Sequence, residues 1–258
     1  MPTLKTVVIQ TNLVWRNADQ NRIQLLEKIN TINENVDLIV LPEMFTTGFS
    51  MHPEEIAESM NGDTVNWMLK LASEKDAAIA GSIIISENNK YYNRFLFVHP
   101  SGEINYYDKR HLFTLAGEQE IYTPGKEKLI VNYKGWKICP LVCYDLRFPV
   151  WARNVEEYDV LIYVANWPKR RITAWDVLLK ARAIENMCYT IGVNRVGVDP
   201  NNFEYCGHSA VFDSLGEELT EIKSNQEDIA IITLNKEHIA NVRNKLSFLS
   251  DKDSFEIL

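Results

Sequence analysis

The sequence predicts an α/β fold, and two observations carry that expectation. Apolar, β-branched runs recur from one end of the chain to the other, and several of the segments between them repeat their apolar residues at helical spacing instead. Strands that alternate with helices belong to the α/β class. Glycine-rich phosphate loops of the Rossmann or Walker type are absent, as are internal repeats and low-complexity segments, so nucleotide-binding and solenoid readings fall away.

The strand-like runs are KTVVIQ (5–10), DLIVLP (37–42), AAIAGSIII (77–85), RFLFVHP (94–100), EINYYD (103–108), KLIVNY (128–133), KICPLVCYD (137–145), DVLIYVAN (159–166), YTIGVN (189–194), HSAVFD (208–213) and DIAIITLN (228–235). That number requires one large sheet or two. Helical spacing marks one face with Ile23, Leu26 and Ile29, a second with Val65, Met68 and Leu69, and a third with Val177, Ala181 and Ile184. Turn signals in HPSGE (99–103) and NYKGW (132–136) predict hairpins, and DSLGE (213–217) a further turn.

The bulk numbers limit the function. At 258 residues the chain is long enough for a substantial core, and no composition break divides it, so residues 1–258 are read as one domain. With 46% hydrophobic and 24% charged residues it has the composition of a soluble globular protein. A net charge of −8 disfavours nucleic acid and anionic membrane as partners, because both call for clustered Lys and Arg. No stretch approaches the roughly 18 apolar residues of a membrane span. The start, MPTLKTVVIQTN, lacks the pattern of an export signal, and four cysteines do not make a disulfide framework, so reduced thiols in the cytoplasm are expected.

Two of those cysteines fall in CPLVCYDLRFP (139–149). Zinc needs four ligands, and no second Cys/His pair with ligand spacing follows, so no metal is expected. A redox pair usually has two intervening residues rather than three. Cys139 lies inside the apolar run and reads as core. Cys143 ends it, where the sequence turns polar, and ligand crevices in α/β sheets open just beyond the carboxyl ends of strands. Glu43, Lys109, Asn166 and Trp167 occupy the same kind of boundary. Spacing alone leaves a cysteine-centred site and a structural reading both open.

LPEMFTTGF (41–49), YDKRHLF (107–113) and LVCYDLRFP (141–149) resemble the three signature segments of the nitrilase superfamily of carbon–nitrogen hydrolases, in the same order. The similarity runs along nearly the whole chain. NWPKRR (166–171), KARAIENMCYTIGVNRVG (180–197) and GHSAVFDSLGE (207–217) further resemble the omega-amidase branch, whose members hydrolyse the terminal amide of 2-oxoglutaramate and related acids.

The resemblance implies a four-layer α-β-β-α sandwich, no cofactor, a homodimer, and a Glu–Lys–Cys triad formed here by Glu43, Lys109 and Cys143. It also implies a second glutamate near the triad, for which Glu118 is preferred over Glu120. The chemistry explains the residue types. An amide carbonyl is a weak electrophile and a free thiol is mostly protonated at neutral pH, so Cys143 needs a base, Glu43. The oxyanion formed on attack needs fixed donors, for which Lys109 and the backbone N–H of Tyr144 are the candidates.

Phe45 and Trp167 are expected to wall the pocket and Asn166 to contact the substrate, with Arg171 preferred over Arg170 for binding a substrate carboxylate through its planar fork. Asp145 and Arg147 read as an ion pair that orients the nucleophile loop, His111 as a loop buttress, and His208 as structural. Residues 144–154 and the C-terminal FEIL (255–258) are expected at the dimer contact. The rivals are hydrolysis of an N-carbamoyl amino acid or a nitrile, a catalytically silent scaffold, and a metal or redox module.

Overall fold

The computed structural model describes residues 2–256. Its strands in chain order are β1 (Thr3–Gln10), β2 (Leu38–Val40), β3 (Ala78–Glu87), β4 (Lys90–Val98), β5 (Ile104–Asp108), β6 (Val131–Tyr133), β7 (Trp136–Val142), β8 (Val160–Ala165), β9 (Tyr189–Asn194), β10 (Val196–Val198), β11 (Glu204–Cys206), β12 (Ala210–Phe212) and β13 (Asp228–Asn235). The helices are α1 (Ala18–Asn30), α2 (Asp63–Lys75), α3 (Pro149–Ala152), α4 (Ile172–Asn186) and α5 (Lys236–Leu246).

Two sheets form, in the orders β13-β1-β2-β3-β4-β5 and β12-β9-β8-β7-β6, with β10 and β11 as a separate ribbon. Each sheet has a parallel centre, β1-β2-β3 in one and β7-β8-β9 in the other, flanked by antiparallel strands. Parallel strands are buried on both faces, which is why their sequences are continuously apolar rather than alternating.

The sheets pack face to face. Leu4, Val8, Val40 and Phe97 of the first meet Ile138, Leu141, Ile162 and Ile191 of the second in a single core. On the outer face of the first sheet, Val7, Ile39 and Ile79 pack under α1 and α2 through Leu25, Ile29, Met68 and Leu71. On the second, Trp175, Leu179 and Ala183 of α4 join the inter-sheet core cluster. The result is the α-β-β-α sandwich that the resemblance implied.

Every predicted strand run contains a strand, and both predicted hairpins form, joining β4 to β5 and β6 to β7. Two helix faces differ from expectation. In α1 the buried positions are Asn21, Leu25 and Ile29, while Ile23 is 52% exposed. In α4 they are Trp175, Leu179, Arg182, Ala183 and Asn186, whereas Val177 and Ile184 face outward at 60% and 47% exposure. The physical reason is that Trp175 and Leu179 bury more apolar area than Val177 and Ile184, so the helix turns its larger side chains inward. No helix among the described residues is long and apolar enough to cross a membrane.

Candidate active site

The strand ends deliver the site. Glu43 lies in the turn that follows β2, and that turn is pinned to β3: Met44 N–H donates to Ser82 Oγ at 2.9 Å and Phe45 N–H to the Ser82 carbonyl at 3.1 Å. Lys109 follows β5, with its N–H donating to the Asn93 carbonyl on β4 and its carbonyl accepting from Gly125 N–H. Gly125 cannot carry a side chain here, because a Cβ would sit 2.0 Å from the Asp108 carbonyl oxygen. Cys143 follows β7 and opens a short 3₁₀ turn, Cys143–Arg147, with φ +45°. A non-glycine residue in that left-handed region is strained, and such strain collects at functional sites.

The Lys109 ammonium lies 3.1 Å from Glu43 Oε1 and 3.0 and 2.9 Å from the two oxygens of Glu118, with all three side chains fully buried. Burial works against the charge on Lys109, but Glu118 and Glu43 outweigh it and hold its pKa above the ordinary lysine range. Glu118 is pushed up by burial and by Glu43, with Lys109 opposing. Burial, then the Glu43 charge, drives the Cys143 thiol well above its usual range, against the pull of Lys109. A thiol raised in this way calls for a base, and the neighbouring Glu43 side chain is the group placed to serve as one.

Further bonds fix Glu43. Asn93 Nδ2 donates to Oε1 at 2.8 Å, Asn166 N–H donates to Oε2 at 2.7 Å, and Asn166 Nδ2 donates to the Glu43 carbonyl at 2.7 Å. The Cys143 turn and the segment carrying Lys109 are joined through buried Asp145. Its Oδ2 accepts from Tyr107 Oη at 2.8 Å and from Val142 N–H at 3.0 Å, and its Oδ1 accepts from His111 N–H at 3.0 Å and lies 2.7 Å from His111 Nδ1. His111 also stacks on Phe148, with centroids 3.7 Å apart.

A cavity of about 450 Å³ opens over Cys143, lined among others by Lys109, Tyr144, Asn166, Trp167 and Arg171. The Tyr144 N–H lies in the first turn of the 3₁₀ segment, before any helical bond can take it. Arg147, Arg170 and Arg171 line the wall, each over an aromatic face, Trp167, Phe203 and Phe113 respectively. None of the three forms an ion pair among the described residues, and Arg171 is half-buried.

Several sequence expectations are corrected. Phe45 does not wall the cavity. It is fully buried in the core between the first sheet and its helices, against Gly81, where an added Cβ would meet its ring at 3.0 Å. Asp145 does not pair with Arg147: the backbone and hydroxyl donors of Tyr107, Val142 and His111 saturate it, and Arg147 turns to the cavity instead. Glu118 lies against Lys109, whereas Glu120 is exposed. Cys139 is core and His111 braces the loop, both as expected. Asn93 and the β10–β11 ribbon, which lends Phe203 and Tyr205 to the wall, escaped notice. Asn93 stands just ahead of the apolar run RFLFVHP, and no spacing signal marks it or residues 196–206.

Comparison with known proteins agrees with this geometry. The carbon-nitrogen hydrolase family model matches residues 5–244. The chain is 43% identical to an omega-amidase, YafV, of Yersinia enterocolitica over 258 residues, all of both chains. It is 34% identical to a 2-oxoglutaramate amidase of Bacillus subtilis over 224 residues, 85% of this chain and 86% of that one. Among solved structures, XC1258 of Xanthomonas campestris, a CN-hydrolase superfamily protein with an arsenic adduct in its active site, superimposes with a TM-score of 0.97 at 42% identity and full coverage of both chains. With a matching fold, a matching family model and a strand-end cluster of thiol, carboxylates and ammonium, this chain belongs to the carbon–nitrogen hydrolase family of the nitrilase superfamily.

Proposed function

We propose that this amide-hydrolysing enzyme is an omega-amidase, which releases ammonia from the terminal amide of a small carboxylate-bearing acid such as 2-oxoglutaramate. The observation that carries the reading is a half-buried guanidinium without an acidic partner among the described residues, Arg171, on the wall of the cavity that Cys143 and Lys109 also line. A cation held away from water without a counter-charge favours an anionic ligand.

In this mechanism Glu43 takes the Cys143 proton as sulfur attacks the amide carbon. The Lys109 ammonium and the Tyr144 N–H receive the developing oxyanion. Glu43 returns the proton to the leaving nitrogen, ammonia departs, and an acyl-thioester remains on Cys143. Glu43 then deprotonates water, which attacks the thioester and frees the acid. Glu118 keeps Lys109 charged and in place. Trp167 and Asn166 shape the acyl pocket.

Four free cysteines support a reducing, cytoplasmic location. Exposed Val150, Val177 and Ile184 support a homodimer contact through α3 and α4. Of the expected contact segments, 144–154 contains Val150. The C-terminal one is described only as far as Glu256, because Ile257 and Leu258 lie outside the described residues.

The test is ammonia release across a panel of small amides, with carbon dioxide measured alongside. Ammonia without carbon dioxide, strongest on the carboxylate-bearing amides, is the expected result. Carbon dioxide in equal amount identifies a carbamoyl substrate instead, and turnover of nitriles alone overturns the amidase reading.

A further inference from the structure

Glu43 has to serve as base, acid and base again within one turnover, so which of its oxygens carries the proton matters as much as its identity. Its two oxygens are not equivalent. Oε1 receives two donors, Asn93 Nδ2 at 2.8 Å and Lys109 Nζ at 3.1 Å, which together use both of its lone pairs. Oε2 receives one donor among the described residues, the Asn166 N–H at 2.7 Å, which leaves one lone pair for a proton. The assignment of the Asn93 amide is unambiguous, because a carboxylate oxygen only accepts and must face the nitrogen. Asn166 is fixed in the same way by the Glu43 carbonyl, which its Nδ2 reaches at 2.7 Å.

We infer that Asn93 is a positioning residue that saturates Glu43 Oε1 and thereby keeps the proton taken from Cys143 on Oε2 for delivery to the leaving nitrogen, whereas the base steps can use either carboxylate oxygen. The inference rests on the amidase reading, in which Glu43 acts on Cys143. The Cys143 proton passes to Oε2 as sulfur bonds to carbon. It then passes from Oε2 to the nitrogen as the C–N bond breaks. In deacylation one water proton moves to the Glu43 carboxylate as hydroxide adds to the thioester carbon, and it ends on Cys143 sulfur when the C–S bond breaks. A carboxylate that was free to rotate would present the protonated oxygen to Lys109 in half of its orientations. Asn93 on β4 and the Asn166 backbone after β8, one from each sheet, prevent that rotation.

A second observation agrees. Asn93 is 1% exposed, and its own Oδ1 has no hydrogen-bond partner among the described residues, nor has that of Asn166. Buried acceptors of this kind are disfavoured by folding, which points to a reason other than stability for keeping amide side chains at both places.

The test separates proton delivery from general loosening of the site. An amide needs its leaving nitrogen protonated, whereas a p-nitrophenyl ester of the same acyl group expels a stable anion and does not. Asn93→Ala is expected to lower kcat on the amide by about 10²-fold or more, the range of a general acid–base contribution. On the ester the loss should stay below about tenfold, with KM for both substrates changed little, because Asn93 does not line the cavity. Asn93→Ser, a milder change that keeps a donor, should show the same selectivity to a smaller degree, and it carries the test if the alanine variant does not fold. Equal losses on amide and ester, or no loss on either, would overturn the inference. Failure of the underlying reading looks different: the unmodified enzyme would then hydrolyse amides without forming an acyl adduct on Cys143 detectable by mass spectrometry after acid quenching.

Discussion

Lys109 and Glu118 form a two-point ion pair at the base of the site, the ammonium lying 3.0 and 2.9 Å from the two carboxylate oxygens with both side chains out of contact with solvent. The pair is not isolated, since the same ammonium also holds Glu43 at 3.1 Å. One cation therefore separates two buried carboxylates, and the stability of the site depends on it. Removing one partner of a buried ionic group costs about 3–5 kcal/mol, because the charges left behind lose their compensation. Lys109→Ala should accordingly lower the unfolding free energy by about that much, measured by urea denaturation, as well as abolish turnover. Glu118→Gln leaves one counter-charge and should fold, with kcat reduced by about 10²-fold or more through a displaced oxyanion donor. Unchanged stability of Lys109→Ala would contradict the burial of the cluster.

Cys143→Ala should keep the fold and lose essentially all turnover. Alanine retains the Cβ, so the strained φ of +45° is no worse than in the native chain. The other three thiols, Cys139, Cys188 and Cys206, are buried away from the cavity, so one equivalent of a bulky thiol reagent should suffice to inactivate the enzyme and mark Cys143 by peptide mapping. Substantial residual activity in the alanine variant would rule out a covalent mechanism.

The pH dependence of Cys143 alkylation should have a distinctive sign. Burial and the Glu43 charge raise the thiol, and Lys109 lowers it. In the resting enzyme the rate with iodoacetamide should go on rising with pH past the ordinary cysteine range near about 8.5. Glu43→Gln removes one raising influence and should move the midpoint to lower pH. Lys109→Met removes the lowering one and should move it higher. A midpoint well below the ordinary range in the unmodified enzyme would indicate a preformed ion pair, in conflict with base catalysis by Glu43.

Much of this arrangement was legible in the chain because the signals are local. Glu43, Lys109, Cys143, Asn166 and Trp167 each stand where an apolar run stops, and a strand end in an α/β sheet is where a crevice opens. The misreadings share a cause as well. Phe45 and Arg147 stand close in sequence to catalytic positions, but a turn reverses side-chain direction within one or two residues, and Phe45 points into the core two positions after Glu43. Asn93 lies in the interior of β4, and its importance comes wholly from a partner fifty positions away. The outward face of α4 misled for another reason. Val177 and Ile184 repeat at helical spacing as a core face does, and periodicity cannot tell a buried stripe from an exposed one.

That exposed stripe leads to a prediction about assembly. Light scattering at micromolar concentration should give about twice the chain mass, as expected of a two-fold contact. Val177→Glu combined with Ile184→Glu should shift the protein toward the monomer, because the introduced charges would have to be desolvated at the contact. A strict monomer before substitution, or a dimer unaffected by both glutamates, would remove α4 from the interface.

The last prediction concerns substrate choice. Burial, then the neighbouring Arg170 charge, holds Arg171 below the usual arginine range, and Arg147 adds to the same effect. A substrate carboxylate would relieve that repulsion, whereas a neutral group of the same shape would be desolvated beside a guanidinium that it cannot satisfy. The enzyme should therefore turn over 2-oxoglutaramate far better than an uncharged amide of equal length, by more than the roughly 10–200-fold that one methylene can provide. Arg171→Ala should erase most of that preference, and the loss should fall mainly on the charged substrate. Arg171→Lys should restore it only in part, because an ammonium supplies the charge without the planar two-point fork. Comparison of kcat/KM for the two amides across the three proteins decides the matter. If the unmodified enzyme treats both amides alike, the carboxylate reading of this wall fails, while the thiol, ammonium and carboxylate cluster beneath it remains able to cleave a simpler amide.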